Sequence, residues 1–278
     1  IESGGNYNVA VGDEAGTAIT TGDANTFVGY AAGDANTTAS NNTAVGYASL
    51  GANTTGRDNT ALGYSAGVTN TTGLENTAIG MYALRFNTTG AQNTAIGLQA
   101  LHRNTTASNN TAVGRNAMEA NTTGTYNVAV GSEAGTAITT GDDNTFVGYA
   151  AGDATTTGGY NTAVGKNAFT ANIGGQENTA LGREALASNT SGSNNVAVGQ
   201  GSLITNTTAS NNTAVGYESL KVNTTGTENT AVGVGALDAN TEGSYNVAVG
   251  HHSLTTQTTG SQNAAFGRNS LNSNTTGT

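Results

Sequence analysis

Cysteine, proline and tryptophan are absent from the 278 residues, and only 5% of residues are aromatic and 9% charged. Without cysteine there is no thiol nucleophile, and cysteine usage specifies no redox compartment. So few large rings make a poor globular core and suit thin, stacked coils. Basic residues number 8 against 18 acidic ones, a formal charge of -10, which argues against nucleic acid and anionic membrane surfaces as partners. No apolar run approaches membrane-spanning length, so membrane insertion is not expected. The opening Ile1-Glu-Ser-Gly-Gly5 lacks the charged and apolar regions of a signal peptide, so any export signal or anchor is expected to lie outside this sequence or to have been removed.

Glycine is plentiful, at 41 residues, alongside Asn, Thr and Ser. Such compositions often belong to disordered chains, but here the apolar residues hold fixed places. The stretch Asn42-Thr-Ala-Val-Gly46 returns in variant form every seventeen residues, opening at Asn8, Asn25, Asn42, Asn59, Asn76 and onward to Asn263. A glycine closes each copy: Gly12, Gly29, Gly46, Gly63 and so on to Gly267. A strict short period overrides the usual expectation of globular domains and points to a quasi-one-dimensional stack. Residues 1–7 read as the end of a preceding repeat, and 8–278 as one array of sixteen 17-residue repeats. Tyr7-Asn8-Val9, Tyr126-Asn127-Val128 and Tyr245-Asn246-Val247 lie 119 residues apart, seven units of seventeen, so duplication also acted on larger blocks.

Taking 42–58 as the model unit, places two to four form a short apolar strand bounded by Asn and Gly. Places six to eleven suit either a second strand or one helical turn; Arg183-Glu-Ala-Leu-Ala187 leans helical by propensity. Places twelve to fifteen, Asn53-Thr-Thr-Gly56, read as a turn in which Gly supplies positive φ. One such coil buries too little apolar surface to offset its ordering entropy. Stacking gives most backbone groups a partner about 4.8 Å above or below. The expected fold is therefore all-β, a parallel β-solenoid (β-roll or β-helix) of about sixteen coils, an elongated rod of about 75–80 Å.

In such a stack the first-place asparagines become an amide ladder down a buried corner. The fifth-place glycines permit a left-handed backbone there, with close approach of another chain as the competing reason. Volume exchange assigns the faces. Where the ninth place carries Gly16 and Gly33, or Gly135 and Gly152, the third place gains Phe27 or Phe146, and Ile19 or Ile138 replaces a twelfth-place Asn. Such swaps imply a shared interior, placing the third and ninth positions inside. The fourth-place row, Val45, Leu62, Ile79, Ile96 and Val113, then faces outward and is too apolar to leave wet. It is expected to be the seam of a homo-oligomer, a trimer about the fibre axis; end-to-end filament growth is the other mode of self-association.

The unit Asn-Thr-Ala-Val-Gly-Tyr-x-Ser-Leu-x-x-Asn-Thr-Thr-Gly at 42–56 resembles repeats of phage tail-fibre-like and bacterial surface proteins. More distantly, Val-Ala-Val-Gly at 9–12 and 128–131 is similar to the head repeats of trimeric autotransporter adhesins. That resemblance implies parallel β-rolls assembled as homotrimers.

Catalysis needs unlike groups brought together, and no His/Asp/Ser or phosphate-loop arrangement stands out, so neither enzyme activity nor a cofactor is expected. His102, His251 and His252 read as surface residues. Asp13, Glu14, Asp23, Asp34, Asp142 and Asp143 offer oxygen ligands for calcium, but the calcium-roll pattern is missing and no metal site is assigned. Tyr30, Tyr47 and Tyr64 share the sixth place in three consecutive coils and form either a rigidifying stack or a contact for a surface glycan. Asn-Thr-Thr at Asn36, Asn53, Asn70, Asn87, Asn104, Asn121, Asn206, Asn223 and Asn274 fits the N-glycosylation pattern, though a turn-forming ladder explains it equally well. The sequence reads as a structural extracellular fibre or adhesin shaft on a cell surface or virion. The alternatives are glycan binding through the tyrosines and ice binding through the thirteenth-place ladder of Thr54, Thr71, Thr88, Thr105 and Thr122.

Overall fold

The structure is a computed structural model that describes residues 5–277. Of the segment 1–7 read as a repeat end, residues 1–4 lie outside the described residues, as does Thr278. The chain divides into two compact units, Ile1–Asp142 and Asp143–Thr278. Unit 1 holds strands β1 (Val9–Val11) to β8 (Val128–Val130), and unit 2 holds β9 (Thr145–Val147) to β16 (Ala264–Phe266). Each unit is a parallel β-solenoid with one three-residue strand per coil. Pairing follows the period without slippage: Thr43 lies over Thr60, Ala44 over Ala61 and Val45 over Leu62.

The strands are short because the fifth-place glycine ends them. Gly46 has φ +135°, and a methyl group added to it would sit 2.5 Å from the carbonyl oxygen of Gly63 in the next coil. Both expected reasons hold only in altered form. The backbone is extended in the sense only glycine adopts, not left-handed helical, and the close neighbour is the chain's own next coil.

Places six to eleven are neither helix nor strand but consecutive turns, including the helix-leaning 183–187. The cause lies in the backbone: Ala48 at the seventh place has φ +50° and Leu50 at the ninth +49°, and the pattern recurs at Glu184 and Leu186. Left-handed residues at alternate places break helix and strand alike. Such conformations cost about 1–2 kcal/mol each for an L-residue. Inter-coil hydrogen bonds offset that cost, as when Ala48 N–H donates to Tyr30 O (2.8 Å) and Leu50 N–H to Ala66 O (3.0 Å). A third left-handed residue, Asp58 at φ +59°, precedes each new strand. The fifteenth-place glycine, by contrast, does not have the expected positive φ. A methyl added at Gly56 would crowd Gly73 O and Asn53 Oδ1, yet Ala39, Ala107 and Ala209 occupy the same place in other coils, buried, so small shifts admit a methyl group there.

The interior contains the third and ninth places, as the volume exchange implied: Ala44, Leu50, Phe27 and Phe146 are all buried. Phe27 occupies the room left by two missing leucines, since a methyl on Gly33 would meet its ring at 2.6 Å and one on Gly16 at 2.9 Å. Gly67 has no such compensation. It lies beside a small cavity with Leu50 and Leu84 in the walls. Gly67→Leu is expected to stabilise unit 1 by about 1–2 kcal/mol. That is less than a full leucine burial, because the Leu50 methyls must shift and a side chain must hold φ > 0. A urea midpoint unchanged or lowered in Gly67→Leu would contradict this.

Candidate functional site

The expected amide ladder is present and mostly buried. Asn42 N–H donates to Asn25 Oδ1 (3.0 Å), Asn42 Nδ2 donates to Gly56 O (2.9 Å), and Asn42 Oδ1 accepts from Asn59 N–H (2.9 Å). Asn25, Asn42, Asn59 and Asn76 are buried, while Asn8 is half-buried in the first described coil. Each asparagine thus links adjacent coils and also closes its own. Gly12, Gly29, Gly46 and Gly63 share φ values of 132–135° in a column beside it.

A second amide column, missed in the sequence reading, runs through the twelfth place. Asn53 Nδ2 donates to Asn36 Oδ1 (3.1 Å) and to Gly56 O (2.8 Å). Two buried asparagines of one coil therefore converge on the fifteenth-place carbonyl. The available signal was the recurrence of Asn at the twelfth place, with Ile19, Ile138, Thr155 and Gln257 as the exceptions. Where the column is interrupted, an orphan results: Asn121 Oδ1 is buried without a partner, because the next twelfth-place residue is Ile138, which has no donor. The sixteenth place was missed as well. Its Ser or Asp accepts a backbone N–H from the coil before, as in Asp23 N–H to Ser40 Oγ (2.9 Å) and Thr125 N–H to Asp142 Oδ1 (2.6 Å).

Tyr30, Tyr47 and Tyr64 do form a column. Their ring centroids lie 5.2 and 5.0 Å apart, with planes 21° and 8° from parallel, and each ring is nearly half exposed. The ring faces meet one another, leaving mainly edges toward solvent. Hydrogen bonding to Glu14, and then its negative charge, raise the Tyr30 phenol pKa. Tyr82 packs edge-on against Tyr64, and the Arg85 guanidinium lies 4.5 Å from the Tyr82 centroid and 5.1 Å from that of Phe86.

His102 is not a surface residue, contrary to the sequence reading. It is buried beside the Phe86 ring at 5.0 Å, with its Nδ1 3.7 Å from Glu119 Oε1, and neither ring nitrogen makes a hydrogen bond. Tyr82 and Phe86, at the seventh and eleventh places of the preceding coil, pack against it. Burial lowers its pKa; Arg85 and Arg103 act in the same direction, while Glu119 opposes them. A histidine held below its unfolded value of about 6.5 favours the neutral form in the folded chain, so its contribution is intact above that pH and is lost as pH falls through it. Urea midpoints of unit 1 should therefore drop between pH 7.5 and pH 5, and His102→Gln should flatten the drop. Equal slopes in both proteins would refute this.

His251 and His252 pack edge to face, with ring centroids 4.1 Å apart; His251 is exposed and His252 half-exposed. Burial raises the pKa of Asp34, against backbone hydrogen bonds that lower it. Among the described residues no three His, Asp or Glu side chains gather in a group that could hold a metal ion. The fourth-place row faces outward as expected, with Val45 and Ile96 each 37% exposed. No protein-family model matches the chain, and no curated protein matches it.

Proposed function

We propose that this chain is a structural solenoid, the shaft of an extracellular fibre or adhesin on a cell surface or virion, assembled from copies of itself. One observation carries the reading: in coil after coil, backbone bonds and two amide columns tie like residue to like residue on both sides. Bending such a stack requires many short bonds to lengthen together, so length and stiffness are the properties it supplies. Repetition also keeps unlike reactive groups apart, which is why no enzymatic role is proposed. Electron microscopy tests this directly. Slender particles or continuous fibres are expected, and compact round particles would reject it.

The fourth-place row is proposed as the seam of a homotrimer. Light scattering should give three times the 27.4 kDa chain mass. Ile79→Glu with Ile96→Glu should yield single chains with an unchanged β-type circular dichroism spectrum, because desolvating carboxylates in an apolar seam is unfavourable. A single-chain mass for the unmodified protein would eliminate the seam. The glycan and ice readings are less well supported. The tyrosine faces cover one another, and the thirteenth-place hydroxyls are already committed to the next coil, as in Thr54 Oγ1 to Thr71 O (3.1 Å).

A further inference from the structure

The repeat carries two kinds of N-glycosylation acceptor, and the fold separates them. Asn-Thr-Thr places its asparagine at the twelfth position, where Asn36, Asn53, Asn70, Asn87, Asn104, Asn121, Asn206 and Asn223 are buried. A glycan is attached through the Nδ2 atom. In Asn87 that atom donates to Asn70 Oδ1 (2.8 Å) and Gly90 O (2.9 Å), and in Asn104 to Asn87 Oδ1 (2.7 Å) and Ala107 O (3.0 Å). A sugar on either nitrogen removes a donor from the column and forces a polar ring into an interior already filled by side chains. The second kind is Asn-Asn-Thr, at 41–43, 109–111 and 211–213. Its asparagines hold the seventeenth place: Asn41 and Asn211 are exposed and Asn109 half-exposed, all with φ +62° on the turn before a strand. Asn41 Nδ2 makes only an exposed bond, to Asp58 Oδ1.

We infer that N-glycosylation at the twelfth place and this fold exclude each other, whereas Asn41, Asn109 and Asn211 can carry N-glycans on the folded chain. Transfer of a glycan to asparagine acts on chains still unfolded, so the Asn-Thr-Thr tripeptides are acceptors until the coil closes. In a compartment with that transferase, modification competes with folding and blocks it. The chain therefore suits a route on which folding meets no such enzyme.

The exposed fourteenth-place threonines separate the two effects, since they complete the acceptor without belonging to either amide column. The first protein is the unmodified chain, directed through a eukaryotic secretory pathway with and without an inhibitor of N-glycan synthesis. The second carries Thr38→Ala, Thr55→Ala, Thr72→Ala, Thr89→Ala, Thr106→Ala, Thr123→Ala, Thr208→Ala, Thr225→Ala and Thr276→Ala, with Ser191→Ala closing the related Asn189-Thr-Ser site. Bacterial cytosolic expression of the second protein verifies that these changes leave it folded. Without inhibitor, the unmodified chain should bear twelfth-place glycans and be protease-sensitive; with inhibitor it should be protease-resistant. The second protein should be resistant and carry glycans only at Asn41, Asn109 or Asn211. A resistant, cooperatively unfolding chain with sugar on Asn53, Asn70, Asn87 or Asn104 would overturn the exclusion. A second protein that becomes sensitive when glycosylated at Asn41, Asn109 or Asn211 would overturn the other half.

Discussion

Asn93→Leu should destabilise unit 1 by about 3–6 kcal/mol, although the side chains are nearly equal in size and leucine is far more apolar. Asn93 Nδ2 donates to Asn76 Oδ1 (3.2 Å) and Ala107 O (2.8 Å), and Asn93 Oδ1 accepts from Asn110 N–H (3.1 Å). Leucine leaves the Asn110 N–H buried with no acceptor and weakens the satisfaction of two oxygens. An orphaned buried donor costs about 1–3 kcal/mol, more than burying two extra methyl groups returns. The hydrophobic effect alone predicts the opposite sign, so the experiment discriminates well. Equilibrium urea unfolding is the measurement, with Gln92→Leu, at the exposed place just before it, as a control expected to change stability by less than about 0.5 kcal/mol. A loss below 1 kcal/mol for Asn93→Leu would show that the amide column is not what holds the coils in register.

Phe27→Ala should cost about 3–5 kcal/mol, and a leucine placed at Gly33 should restore much of it. The ring of Phe27 fills space that Leu50 and Leu84 fill in their own coils, so its removal leaves an unfilled volume between Gly16 and Gly33. Gly33→Leu by itself should also destabilise, because its Cβ would meet the phenyl ring at 2.6 Å. In the double variant the clash and the void cancel, giving a coupling of about 2 kcal/mol or more. The backbone permits the substitution: Gly33 has φ +57°, and Leu50 already adopts +49° at the equivalent place. Chemical denaturation of the four proteins closes the cycle. Additive losses would mean that the two places do not share one interior.

That exchange was legible in the sequence because a strict period aligns the coils before any coordinates exist. Phe27, Gly16, Gly33 and Ile19 could be compared place by place with their counterparts. The parallel register, the first-place amide column and the tyrosine column follow from the same alignment. Less could be read where residue type and backbone disagree. Leu50, Ala48 and Glu184 have no preference for positive φ, and Arg183–Ala187 has the composition of a helical turn. Only the hydrogen bonds offered by the neighbouring coils make the left-handed conformations worth adopting. His102 was misread for a related reason: its exposure is set by Phe86 and Tyr82, which belong to the preceding coil.

What the amino-acid sequence determined by itself was translation: which residue lies over which, and hence the solenoid, its ladders and its inner and outer faces. A repeat of constant length leaves a parallel stack no other register. What only the tertiary structure decided was the path within a coil and the fate of each side chain along it. The twelfth-place asparagines are interior rather than part of an open turn, the fifteenth-place glycines do not take positive φ, and places six to eleven are turns. Those outcomes rest on distances between neighbouring coils, and local propensity carries no information about what a neighbour will offer.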